Sequence, residues 1–279
     1  MHRIGCLLVA GALLMACTSD DSTARTDPSA QVEATTSAPV DEPTTNTATT
    51  SDPSTTASPE PNHVLVLTKT AGFRHTSIEP AVAALVPALE ARGIAVTVDP
   101  DATQVTDDGL APFDAVVMLS TTGDWLDDAQ QGAIERWAAD GGAVAGIHAA
   151  TDAEPDWVFL DAVFGVRFAG HPAVQPAIVR IEDPAHPAMA GLPTEWTVTD
   201  EWYDFTRNPR AIVHVLATVD EATYTGGSMG PDHPIEWSQE RTEVAGRAWY
   251  TAMGHADALW SDPLFVEHVA AGVAWTVDA

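Results

Sequence analysis

The sequence predicts an α/β domain: a mostly parallel sheet with helices on both faces and an added β-rich C-terminal part. Three observations predict it. Continuous apolar runs, such as His63-Val64-Leu65-Val66-Leu67-Thr68, read as strands buried on both faces. From residue 63 to residue 148 the patterns follow the order strand, helix, strand, strand, helix, strand, which suits parallel crossovers. From Pro155 onward the rhythm changes to short strands separated by turn residues.

In order, the first strand is followed by the loop Lys69-Thr70-Ala71-Gly72-Phe73-Arg74-His75. Thr76-Ser77-Ile78-Glu79 fits a capping box for a helix that runs to about Arg92 and stops at Gly93. Pro80 is tolerated in its first turn, and Pro87 is expected to kink it. Strands are expected from Ile94 to Asp99 and from Asp114 to Ser120. Asp127 or Asp128 caps the next helix, which ends at Gly141. The stretch Gly141-Gly142-Ala143-Val144-Ala145-Gly146-Ile147-His148 is then a buried fourth strand ending in a sharp turn. Asp156 to Phe164 reads as a short helix, and Phe168 to Pro172 as a loop. Strands follow at Ala177–Glu182, Trp196–Phe205, Ile212–Val219, around Ile235-Glu236-Trp237 and at Ala245–Met253. Residues 220–234 read as a glycine- and proline-rich loop, and Ser261-Asp262-Pro263 opens a final helix to about Trp275.

Not all of the chain is expected to fold. Residues 1–17 read as a bacterial export signal: an apolar core from Ile4 to Met15, then Leu14-Met15-Ala16-Cys17, which resembles the lipobox of lipoproteins. An ordinary cleaved signal peptide is the alternative, and the run is short for a membrane span. Of the two cysteines, Cys6 would leave with the signal and Cys17 would carry the lipid. Residues 18–62 are rich in Thr, Ser, Pro, Asp and Ala and read as disordered. A tether of about 45 residues reaches roughly 35–40 Å. Residues 63–279 remain as one domain without a cysteine, hence without a disulfide or thiol nucleophile. The net charge of −28 argues against nucleic acid as a partner. The expected location is the outer face of the cell membrane, or secretion if Cys17 stays unmodified.

Several stretches carry a resemblance. They are Gly72-Phe73-Arg74-His75, the Gly-Gly…Gly-Ile-His-Ala-Ala segment at 141–150, Gly170-His171-Pro172 and Asp200-Glu201-Trp202-Tyr203. Pro209-Arg210, Gly246-Arg247-Ala248-Trp249-Tyr250-Thr251 and Gly254-His255 complete the set. Together they resemble the ThuA-like (trehalose utilisation) family over roughly residues 63–277. The resemblance implies a flavodoxin-like, class I glutamine-amidotransferase-like fold and a role in carbohydrate utilisation through disaccharides and 3-keto sugars. Amidotransferases of this fold carry a nucleophilic cysteine after the corresponding strand. Here His148 stands in that neighbourhood, and thiol chemistry is excluded by inventory.

His148 ends a strand at the edge where open α/β sheets bind ligands, and imidazole suits proton transfer near neutrality. The plain alternative is a histidine satisfied by backbone in a tight turn. His75 and Arg74 lie before a helix start on the same edge, where an anionic or polar oxygen would bind. His171 and His255 sit beside glycines, which mark close approach to a ligand or ordinary turns. Glu201 and Tyr203 share a strand face opposite Asp200 and Trp202. Glu201 would pair with a histidine, or alternatively with Arg210 or Arg247 as a structural ion pair. His148, His75, His171, Glu201 and His255 are therefore the candidate catalytic residues. Arg74, Tyr203, Trp125, Trp202 and Arg210 are the candidate substrate contacts, with Trp237 and Trp260 as further indoles. Trp137, Trp249 and Trp275 read as core, and His186 and His233 as surface turn residues. Asp124 and Asp152 are second-rank carboxylates.

No cofactor is expected. His75, His148, His171 and His255 with a carboxylate would be an adequate set for a divalent metal, but the sequence has no His-Glu-x-x-His and no compact ligand spacing. Gly226-Gly227-Ser228-Met229-Gly230 matches a nucleophile elbow in letters only, since Pro231 and Pro234 follow where a helix should start. Two functions fit. One is an enzyme, an isomerase, lyase or hydrolase, that acts on a glycoside or keto-sugar by histidine-based acid–base chemistry. The other is a non-catalytic, lipid-anchored sugar-binding protein.

Overall fold

A computed structural model describes residues 61–278 of the chain. The export signal, Cys17 and the linker apart from Pro61 and Asn62 lie outside the described residues. The parallel half comprises β1 (His63–Leu67), β2 (Ala95–Asp99), β3 (Ala115–Leu119) and β4 (Ala143–Ile147), joined by α1 (Ile78–Glu90), α2 (Asp107–Leu110) and α3 (Asp128–Ala139). After α4 (Val158–Phe164) come β5 (Phe168–Gly170), β6 (Gln175–Ile181), β7 (Glu195–Asp200), β8 (Asp204–Phe205), β9 (His214–Val219), β10 (Pro234–Gln239) and β11 (Ala248–Thr251). The last helix is α5 (Pro263–Val277).

One nine-stranded sheet has the order β2-β1-β3-β4-β11-β10-β9-β6-β7. The first five strands pair in parallel and the remaining pairings are antiparallel. β11, late in sequence, thus occupies the fifth place of a flavodoxin-like 2-1-3-4-5 order. Alternation along β11 fixes the layers: Trp249 packs on Gly272 of α5, while the next residue, Tyr250, faces Phe164 of α4 across the sheet. Gly146 of β4 lies under the same Phe164, and a Cβ there would stand 2.6 Å from the ring. β3 and β4 are buried along their whole length, as their apolar runs require. Among the described residues no helix is long and apolar enough to cross a membrane.

Four local expectations need correction. The Thr76–Glu79 capping box does not form, because Ser77 caps α1 without a side-chain bond and Glu79 is drawn to Arg74 at 2.6 Å. Phe168–Gly170 is a short strand paired with β8 rather than a loop. The strand expected over Trp196–Phe205 breaks after Asp200, so Glu201-Trp202-Tyr203 leave the ladder. His186 and His233 are buried: His186 packs on Trp275, and His233 is bonded to Tyr203 O and Tyr224. The helix at 128–139 has the capping box expected of Asp127, closed by Gln130.

Candidate active site

The carboxyl edge of the parallel strands carries a cleft of about 350 Å³ lined by Phe73, His75, Asp152, Phe168, His171, Glu201, Tyr203 and His255. His148 lies fully buried against the His75, Tyr203 and His255 rings of that lining. It is the first residue after β4 and adopts φ +52, a left-handed conformation uncommon for a side-chain-bearing residue. Two bonds hold it there: Tyr250 OH donates to its carbonyl at 2.8 Å, and its Nδ1 donates to Ala252 O at 2.8 Å. The second bond fixes the tautomer and leaves Nε2 with its lone pair.

His75 lies over it, with the two Nε2 atoms 3.2 Å apart and the rings perpendicular. The loop that carries His75 is pinned to the next strand end, where Thr122 O accepts from Ala71 N and Gly72 N and Thr122 Oγ1 donates to Phe73 O. Burial, with His255 as a like-charged neighbour, pushes the His75 pKa down to about 4, and Glu201 only partly offsets this. Burial, then His75, holds His148 well below the usual histidine range.

Glu201 faces three of the four histidines. Its Oε1 lies 2.9 Å from His171 Nδ1, and its Oε2 lies 3.2 Å from His255 Nδ1 and 3.6 Å from His148 Nε2. The Glu201 carboxylate raises the His255 pKa against partial burial. The His255 contact is electrostatic, because the ring nitrogen is not aligned on the oxygen as a hydrogen bond requires. Asp200, the neighbouring residue, is buried and accepts from Gly254 N and Ala256 N at 2.7 and 2.9 Å. One dipeptide therefore places the carboxylate and clamps the loop that presents His255. Gly254 turns that loop at φ +122. Tyr203 packs at a tilt against His148 and Phe168, each at 4.4 Å between centroids.

The structure thus brings together all five candidate catalytic residues and Tyr203. It does not bring in the others. Arg74 donates to Thr68 O and pairs with Glu79. Arg210 is held by Glu182 and Asp232, and Arg247 by Glu240, so neither reaches Glu201. Trp202 is fully buried with its N–H on Gln175 O, and Trp125, Trp237 and Trp260 are core residues. Indoles cannot stack on a sugar from there. The aromatic walls are Phe73, Phe168 and Tyr203 instead. Phe73 is 66% exposed next to His75, a signal that the sequence did carry. Asp152 lines the cleft, whereas Asp124 does not. Ser228 lies in an exposed loop with neither the strand nor the helix of an elbow.

The family model described as ThuA, trehalose utilisation, matches residues 63–276. A ThuA-like protein from Bacteroides uniformis superposes with a TM-score of 0.66 at 21% identity, over 81% of this chain and 96% of that one. A ThuA-like protein from Parabacteroides merdae gives 0.62 at 21% identity, over 78% and 90%. A cytoplasmic protein from Salmonella typhimurium gives 0.52 at 11% identity, over 77% and 98%. These likenesses are of fold. No curated protein matches the chain.

Proposed function

The chain belongs to the ThuA family, trehalose utilisation, and on that premise we propose that it is an enzyme acting on a glycoside or keto-sugar by histidine-based acid–base chemistry. The observation that supports this reading is the convergence of His75, His148, His171 and His255 around the single carboxylate of Glu201. A sugar-binding protein without catalysis needs contact surface. It does not need four imidazoles within reach of one carboxylate, and the tryptophans that would favour it are buried elsewhere.

Removal of a proton alpha to a sugar ketone needs a base and a group that polarises the carbonyl oxygen. His171 is the base. Its Nδ1 lies 2.9 Å from both Pro172 O and Glu201 Oε1, so Nδ1 carries the proton and Nε2 is free to accept one. The oxygen binds at the opposite side, where His75, His148 and His255 meet. Hydrolysis by two facing carboxylates is less well supported, since Asp152 is the cleft's only other carboxylate among the described residues.

Incubation of the purified protein with trehalose, other glycosides and their 3-keto forms, with and without a chelator, tests the reading. His171 is partly exposed, so His171→Ala should keep the fold and lower turnover by about 10²–10⁴-fold. Sugar binding without turnover, unaffected by His171→Ala or His148→Ala, would sink the enzymatic reading. The proposal includes a location on the outer face of the cell membrane through a lipid on Cys17. Detergent-phase partitioning of the wild type should be lost in Cys17→Ser, and equal partitioning of the two would refute the anchor.

A further inference from the structure

We propose that His75, His148, Glu201 and His255 bind one divalent first-row transition-metal ion, with Zn²⁺ as the reference case. The use of the ion, to polarise a substrate oxygen, rests on the function proposed above; its binding does not. The four side chains offer one ligand atom each, all within 4.8 Å of one another. The resolved edges are 3.2 Å from His148 Nε2 to His75 Nε2, 3.6 Å from His148 Nε2 to Glu201 Oε2, and 3.2 Å from His255 Nδ1 to Glu201 Oε2. Ligands on a tetrahedral zinc with bonds of about 2.0–2.1 Å stand about 3.3–3.4 Å apart. Three of the six edges are within about 0.3 Å of that length, and all lie within 4.8 Å, so binding needs only a small inward movement of the side chains.

Hydrogen bonding leaves the arrangement unsatisfied. His148 donates from Nδ1 to Ala252 O, so its Nε2 offers a lone pair; that lone pair faces Glu201 Oε2, a second acceptor, and takes its hydrogen bond from His75 Nε2 at 3.2 Å, which leaves His75 with a buried Nδ1 that makes no hydrogen bond. His255 Nδ1 is buried against the same oxygen and makes no hydrogen bond. A cation at the centre accepts from all of these at once. The surroundings also suit ligands. A ligating histidine ordinarily donates its other N–H to a carbonyl, as His148 does, and the second oxygen of the carboxylate, Glu201 Oε1, lies 2.9 Å from His171 Nδ1 outside the cluster. Three imidazoles and one carboxylate, without thiolate, select zinc, nickel, cobalt or iron over magnesium or calcium. His75, Glu201 and His255 line the cleft, so that face can admit water or a substrate oxygen.

A second cluster shows the contrast. Asp204, Glu221 and His233 also lie close together. There, however, His233 Nε2 donates to Tyr203 O at 2.8 Å, and Nδ1 faces Glu221 Oε1 at 2.9 Å and Tyr224 OH at 3.1 Å. Asp204 accepts from Ser228 N, and Glu221 from Met229 N. Tyr224 OH can donate to His233 Nδ1, and no side-chain atom of this cluster is left buried without a hydrogen bond, unlike His75 Nδ1 and His255 Nδ1. The stoichiometry should be one ion per chain, not two.

The test uses tag-free full-length protein stripped with a chelator, then titrated with zinc chloride, and in parallel with magnesium chloride, against a chromophoric competitor. Metal content after dialysis is read by mass spectrometry. One zinc and no magnesium per chain are expected. His255→Gln, at the more exposed corner of the cluster, should weaken zinc binding by roughly 100-fold or more, and His171→Ala by about tenfold. Glu221→Gln should change nothing, and circular dichroism confirms that each variant is folded. Substoichiometric zinc in the wild type, or unchanged affinity in folded His255→Gln, overturns the site. Full turnover by metal-free protein sinks the ion's use in the reaction and leaves the enzyme, while the zinc titration alone decides the site. Stoichiometric zinc with no turnover on any sugar sinks the enzyme and leaves the site.

Discussion

Glu201→Gln is expected to lower turnover about 10³-fold while the domain stays folded. The side chain is nearly buried and its carboxylate is shared: Oε1 orients His171, and Oε2 sits against His148 and His255. Glutamine keeps the shape but turns one acceptor into an N–H₂ donor and removes the charge. Whichever way the amide is turned, it presents N–H either to His171 or to the His148–His255 side. In the first case the base loses its orientation, and in the second the oxygen-binding corner loses its carboxylate. The loss should fall mainly on kcat, because the aromatic walls that hold the sugar, Phe73, Phe168 and Tyr203, are untouched. Glu201→Asp keeps the charge on a shorter stem and should recover part of the rate. Turnover of Glu201→Gln within threefold of wild type, or a loss confined to KM, would remove Glu201 from the chemistry.

The site is an edge property of the parallel strands. His75 follows β1, His148 follows β4 and His255 follows β11, and their carboxyl ends all open on one side. Glu201 comes from β7 at the far end of the sheet, and the Asp200 clamp on Gly254 and Ala256 brings it to the β11 loop. Backbone strain concentrates on the same edge, with positive φ at Ser120 after β3 and at His148 after β4.

Much of this was legible in the chain itself. Apolar runs gave β1, β3 and β4 because strands buried on both faces have no polar register to hide. Glycine beside a histidine marked His171 and His255, and the glycine-rich strand marked His148; Gly254 turns the His255 loop at φ +122, whereas Gly170 has open space around it. What failed was every inference that depends on distant packing. Prolines beside His186 and His233 suggested exposed turns, but His186 is buried against Trp275, and His233 against Phe205 and Tyr224. Trp202 looked available for a sugar, whereas the break after Asp200 turns it inward onto Gln175 O. His75, His148, Glu201 and His255 come from four separate loops, so no linear spacing announces them as neighbours; only the sheet order does. Glu236 and His268 escaped notice for the same reason. They lie on β10 and α5 and meet only because Trp249 and Gly272 bring helix and sheet into contact.

That pair carries the largest stability effect expected of a single substitution. Glu236→Gln should cost about 3–5 kcal/mol, or a fall in Tm of roughly 6–20 °C for a domain of this size. His268 is buried with both ring nitrogens facing acceptors, Ala188 O at 2.7 Å and Glu236 Oε2 at 2.8 Å. Carbonyl and carboxylate cannot donate, so the form that satisfies both bonds is the imidazolium. Burial opposes that charge, but the Glu236 carboxylate and the two hydrogen bonds outweigh it and raise the His268 pKa. Glu236 Oε1 also accepts from Trp249 Nε1 at 3.1 Å. Glutamine removes the counter-charge: its oxygen still accepts from Trp249 Nε1, but its amide N–H₂ then faces His268 Nε2, which must give up its proton and accept instead. The pH dependence follows from the direction of the shift. Because the folded protein holds the proton more tightly than the unfolded chain, the stabilisation is complete below about pH 6.5. It is lost as pH rises through the raised folded value. Wild-type Tm, measured in chelator, should therefore decline across the alkaline side of neutrality, and the His268 part of that slope should vanish in Glu236→Gln. The double change Glu236→Met/His268→Leu should recover much of the loss, because an apolar pair leaves no buried charge behind. A Tm for Glu236→Gln within two or three degrees of wild type would show that the pair is not held as an ion pair in the core.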